Sequence, residues 1–127
     1  MNGLLGNGRV FAYAAPVDLR LGYSGLAGLV RSRLQQDPLS GDLFLFVSRT
    51  RQSCKVLRWD GTGLCIFMKK LERGRFAPLW RRDDDKPVRS VVLSRTELSL
   101  FVEGCTLVGT VPLSPTPVDV SFEPGAF

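Results

Sequence analysis

The sequence predicts an α+β fold, a single compact domain with a central antiparallel β-meander of three to five strands and two helices packed on it. Three observations carry this. Short apolar runs alternate with polar turns through residues 43–69, and Asp60-Gly61-Thr62-Gly63 between two of them is a tight-hairpin signal. Ser94-Arg95-Thr96-Glu97 is a helix capping box, with Leu93 and Leu98 as the matching hydrophobic staple. Apolar residues recur at helical spacing between Tyr23 and Leu34. At 127 residues and 44% apolar composition, the chain is long enough for one domain with its own core.

Taken in order, residues 1–8 read as a flexible lead-in, 9–105 as the folded domain and 106–127 as a Pro-rich C-terminal arm. Arg9 to Ala14 has strand character, and Pro16 ends it. A helix is expected over 23–36, capped by Ser24 or Asp18 and stopped by Asp37-Pro38, although Gly25 and Gly28 weaken it. Leu43 to Val47 is uniformly apolar, the pattern of a central strand covered on both faces. Arg49 to Ser53 is a connecting loop, Cys54–Trp59 and Leu64–Lys69 form the hairpin, and Arg75 to Trp80 suggests an edge strand that tolerates Pro78. The capping box opens a helix over 95–103, closed by Gly104. The helices are expected on one face of the sheet. In the arm, Pro112, Pro115, Pro117 and Pro124 favour an extended segment, while Val118 to Phe122 alternates like a strand that could join a sheet edge.

Composition excludes several classes of function. Histidine is absent, which removes the commonest general base and the commonest zinc ligand. Cys54, Cys65 and Cys105 show no CxxC spacing and read as reduced thiols packed as small apolar groups. No metal and no cofactor is expected. Asp83-Asp84-Asp85 is the one carboxylate cluster, but three adjacent aspartates between Arg82 and Lys86 fit a solvated turn better than a two-metal nuclease centre. The chain is therefore not expected to be an enzyme. It lacks a membrane-length apolar run and a basic-plus-apolar leader, so it is expected in the cytoplasm.

The net charge is +5, and it is unevenly placed. Residues 49–89 hold twelve basic and five acidic residues; the rest of the chain holds five basic and seven acidic. Such a segment either meets an anionic partner or forms a solvated face. Hairpin geometry favours a surface. Lys55 and Lys69 lie toward the open end, opposite the Asp60–Gly63 turn. Arg49 and Arg51 in the preceding loop, and Lys70, Arg73 and Arg75 past the second strand, should gather there too. With Arg58 these form a candidate basic rim that contacts phosphates and carries no base-reading code, so DNA binding should be weakly sequence-specific. Trp59, Phe67, Phe76 and Trp80 could stack on bases or fill the core. Exposed stacking aromatics would turn the reading toward RNA. Asp18 and Arg20 are expected to pair locally ahead of the first helix and are the candidate partner contact.

Four segments, VDLRLGYSGLAGLV, DPLSGDLFLFVSRTR, KVLRWDGTGLCIFMKKLERGRF and LSRTELSLFVEG, occur in this order over residues 9–104. In them the chain resembles the small TnpB proteins, products of the second open reading frame of bacterial transposons of the insertion sequence 66 type. It departs from them at Leu21, where the family tends to carry a basic residue, and in its longer Pro-rich tail. The resemblance implies a non-catalytic accessory factor of transposition that works beside a separate transposase. Two partners follow, DNA and that transposase. The alternative is a protein–protein adaptor that binds the transposase and ignores DNA. A homodimer is compatible with the arm and with the exposed edge near Pro78.

Overall fold

The computed structural model describes residues 8–80 and 90–104. The lead-in, the Asp83–Asp85 cluster with its flanking cations, Cys105 and the Pro-rich arm lie outside the described residues. Strand β1 spans Val10–Pro16. Helix α1, Tyr23–Leu29, runs on into a π-helical turn, Val30–Leu34. Strands β2 (Leu43–Val47), β3 (Ser53–Trp59), β4 (Leu64–Lys70) and β5 (Ser90–Leu93) follow, and α2 (Arg95–Val102) comes last.

The five strands form one sheet in the order β4-β3-β2-β1-β5. The β2–β3–β4 part is the antiparallel meander that the apolar runs predict. β1 joins it differently, pairing parallel with β2 and antiparallel with β5. The sheet is therefore mixed. The cause is the connection: a segment long enough to hold α1 carries the chain back across the sheet, so β2 runs in the direction of β1.

All five side chains of β2 are buried. Leu43, Leu45 and Val47 point to one face and pack with Val10, Ala12, Cys54, Val56, Val91, Leu93 and the α2 residues Leu98, Phe101 and Val102. Phe44 and Phe46 point to the other and pack with Phe11, Leu57 and the helical residues Leu26, Ala27, Val30 and Leu34. The helices thus cover opposite faces, correcting the expectation that they share one. A central strand with no polar side needs a layer on each side; burial of each such side chain contributes roughly 1.5–3 kcal/mol.

Local signals fare unevenly. At α2 the capping box is complete: the Glu97 backbone N–H donates to Ser94 Oγ at 3.0 Å, and the Ser94 N–H donates to Glu97 Oε1 at 2.7 Å. At α1 neither Ser24 nor Asp18 caps the helix. Gly22 holds the N-cap position without a side-chain bond, because the Asp18 carboxylate is turned to Arg20. The helical run ends at Leu34, where Gln35 takes a left-handed backbone.

Residues 75–80 are not an edge strand. The Phe76 N–H donates to the Arg51 carbonyl, and its buried ring stacks on Phe101 with centroids 4.9 Å apart. Phe76, Ala77 and Leu79 plug the α2 face of the core, a spacing that does not alternate and so suits no strand. β5, in contrast, is a strand not foreseen in Val91 and Val92, which the sequence presents only as the approach to the capping box. Cys54 is packed as expected, and burial pushes its thiol up to about 12. Cys65 instead lies exposed, its thiol donating to Asp60.

Candidate nucleic-acid interface

Because β1 and β2 are parallel, their C-terminal ends lie together. The register continues that row: Pro16 pairs with Val47, Val47 with Cys54, and Cys54 with Lys69. Three connections therefore emerge at one end of the sheet. They are residues 17–22 after β1, 48–52 after β2, and 71–75 after β4. The opposite end of the ribbon is the Asp60–Gly63 turn. There the Asp60 carboxylate accepts the N–H groups of Thr62 and Gly63 and the Thr62 hydroxyl, which hold its carboxyl down at about 2. Gly61, with φ of 105°, supplies the left-handed backbone this turn needs.

The connections at the cationic end are fastened to one another. The Ser48 N–H donates to the Ser53 carbonyl, and the Ser53 N–H to Ser48 Oγ, closing the β2–β3 loop. The Leu71 N–H donates to the Gln52 carbonyl at 2.8 Å, and the Phe76 N–H to the Arg51 carbonyl at 2.6 Å. Residues 71–76 are thus stapled at both ends onto the neighbouring loop. Between the staples Gly74 takes a left-handed backbone, φ 76°, and Arg73 and Arg75 stand exposed on either side of it.

Arg49, Arg51, Lys69, Lys70, Arg73 and Arg75 come together here. Arg49, Lys70, Arg73 and Arg75 are exposed; Arg51 and Lys69 are half-buried. Among the described residues the ion pairs are Arg9–Asp42 and Arg20–Asp18, and neither takes a cation of this group. Arg51 has a structural task, its Nη1 donating to the Phe76 carbonyl at 3.1 Å. Lys55 sits one step inward on the α1 face, where its ammonium donates to the Leu21 carbonyl at 3.0 Å. Arg58 is not brought to this end. It pairs in register with Leu43 and Cys65, one residue before Trp59 and the turn, about 13 Å along the strand from Cys54.

Asp18 and Arg20 form the expected local pair, with Arg20 Nη2 2.8 Å from Asp18 Oδ2 and the Arg20 N–H donating to Asp18 Oδ1 at 3.0 Å. These bonds hold the Asp18 carboxyl at about 2. The pair lies in the β1–α1 connection, hence at the cationic end. Sequence reasoning kept it apart from the rim because only the parallel pairing of β1 with β2 reveals the shared location.

Of the aromatics, Phe76 belongs to the core, and Phe67 and Trp80 pack partly buried against it. Trp59 is half-buried at the turn end. No aromatic of the four is offered on an open sheet face at the cationic end. Among the described residues no cluster of carboxylates, cysteines or histidines could hold a metal ion, and no helix is long and apolar enough to cross a membrane.

Comparison with known proteins agrees with the motif pattern. The family described as IS66 Orf2 like protein matches residues 8–110. The chain is 36% identical over 98 residues to the uncharacterized protein y4hO of Sinorhizobium fredii (strain NBRC 101917 / NGR234), covering 77% of this chain and 81% of that one. It is 37% identical over 98 residues to the uncharacterized protein y4jC of the same strain, covering 76% and 78%. No solved structure matches it. The chain belongs to the IS66 Orf2-like family, and that membership makes it an accessory protein of insertion sequence 66 transposition.

Proposed function

We propose that this accessory protein binds the phosphate backbone of transposon DNA through the cationic end of its sheet and, so bound, assists the transposase. The chain itself performs no chemistry in this reading. One observation carries it: six cations, from two connections and the end of β4, converge on one end of the sheet, without a carboxylate pairing any of them among the described residues. Unpaired cations on a stapled frame contact phosphates at little ordering cost, and each contact releases condensed counterions. The group offers point charges and guanidinium forks, with no helix or ribbon placed to read base edges, so weak sequence preference follows.

The test is fluorescence anisotropy of a labelled duplex over a salt series, with the wild type and a Lys69/Lys70/Arg73/Arg75→Ala variant. Occupation of six phosphates gives a log–log salt slope of about five, and the variant lowers it by roughly three to four while keeping its thermal melt. Unchanged binding by the variant ends the proposal. Wild-type protein that ignores DNA yet co-purifies with the transposase, and loses it in the same variant, establishes the adaptor reading instead.

A further inference from the structure

The Asp18–Arg20 pair has a geometry that the rim residues lack. The carboxylate takes one edge of the guanidinium, receiving Nε at 3.1 and 3.2 Å and Nη2 at 2.8 Å. Nη1 and the second proton of Nη2, which form the outer edge, have no acceptor among the described residues, and the Arg20 side chain is 90% exposed. A guanidinium held by one edge presents the other in a set direction, the arrangement suited to a bidentate phosphate contact.

The connection that carries the pair does not stay over β1. The Val17 N–H donates to the Val47 carbonyl, tying its start to β2. The Lys55 ammonium of β3 donates to the Leu21 carbonyl, drawing the residue after Arg20 over β3. Lys55 faces Met68 of β4, and Lys70 follows two residues later on the same face, about 7–8 Å away on the diagonal. Arg20, Lys55 and Lys70 thereby continue the rim along the α1 side.

We infer that Arg20 is a phosphate-binding residue of the same interface, that Asp18 is its positioning residue, and that the nucleic-acid backbone runs from Arg73 and Arg75 past Lys70 to Arg20. The inference rests on the DNA-binding reading above and adds to it the direction in which the duplex lies and a role for an acidic residue beside a polyanion.

That role inverts a sign. Removing Asp18 raises the net charge by one, so if the carboxylate acts only as a charge, Asp18→Ala binds DNA more tightly. If it orients Arg20, Asp18→Ala binds more weakly. The experiment is the same anisotropy titration at moderate salt, with Asp18→Ala, Arg20→Ala and Arg20→Lys beside the wild type and the four-alanine rim variant. Arg20→Ala should lose about fivefold in affinity and about one unit of salt slope. Arg20→Lys should keep the slope but recover only part of the affinity, because an ammonium cannot replace the fork. Asp18→Ala should weaken binding with its melt unchanged. Asp18→Ala at or above wild-type affinity, or Arg20→Ala equal to wild type, overturns the inference while a loss in the rim variant leaves the proposed function standing. Wild-type protein without salt-dependent binding removes both.

Discussion

Two arginine–aspartate pairs in this molecule share their chemistry and differ in almost everything else. Arg9 and Asp42 are 33 residues apart and cross-link the entry of β1 to the entry of β2. Asp42 is buried and accepts the Arg9 N–H, the Arg9 guanidinium and the Ser40 hydroxyl, while the guanidinium lies 5.1 Å from the Phe11 ring centre. Arg20 and Asp18 are two residues apart and exposed, and they restrain only their own loop. The first pair closes a long loop and ends inside a web of donors. The second closes almost nothing and leaves half a guanidinium facing water. An ion pair is thus structural or presentational according to what else its two groups touch, and the two pairs stand at opposite ends of the sheet.

The largest expected effect tests the structural side. Asp42→Ala removes the acceptor of the Arg9 N–H and the cross-link between the starts of β1 and β2, and should cost about 2 kcal/mol in chemical denaturation, or roughly 10 °C in the melt. Asp18→Ala should leave both readings at wild type, since exposed pairs contribute little. Equal losses from the two substitutions would erase the distinction.

Acid sharpens it. Burial alone would push the Asp42 carboxyl up, but the bonds from the Arg9 side chain, the Arg9 backbone and Ser40 together hold it below its ordinary 3.8. A carboxyl lowered by folding stabilises the native state fully above its unfolded value and loses that contribution as pH falls through the folded one. Stability should therefore decline as pH falls through and below the ordinary carboxylate range, and Asp42→Asn should flatten the decline in urea melts across that acid limb. Asp18 and Asp60 are lowered in the same direction to about 2, yet both are exposed, so their share of the slope is the smaller one.

The same contrast between near and far explains what the sequence discloses. The capping box at Ser94–Glu97, the Asp60–Gly63 turn and the Asp18–Arg20 pair are short-range devices, complete within six residues, and each stands as the residues imply. The uniform apolarity of Leu43 to Val47 likewise implied two covered faces. Nothing local states which way β1 runs beside β2, and that direction decides that the helices flank the sheet and that Arg20 shares an end with Arg49 and Lys70. The sequence places Arg58 among the cations of the rim, whereas strand register carries it to the turn. Residues 75–80 have strand-like composition, but the aromatic partner that draws Phe76 out of any ladder, Phe101, lies 25 residues further on.

The smallest expected effect concerns Asp60, a third carboxylate placed between the two extremes. It is exposed and local like Asp18, yet like Asp42 it gathers several donors: two backbone N–H groups and a hydroxyl. What it organises is the backbone of a turn. Asp60→Ala should then lower the melting temperature measurably, by less than Asp42→Ala, because the Thr62 and Gly63 N–H groups can turn to water once the carboxylate is gone. It should leave DNA affinity and salt slope at wild type, since the turn lies at the far end of the ribbon from Lys69 and Lys70. A change in binding with Asp60→Ala comparable to that of Arg20→Ala would mean that polyanions contact both ends of the ribbon, and the contrast between a self-satisfied end and a presenting end would no longer hold.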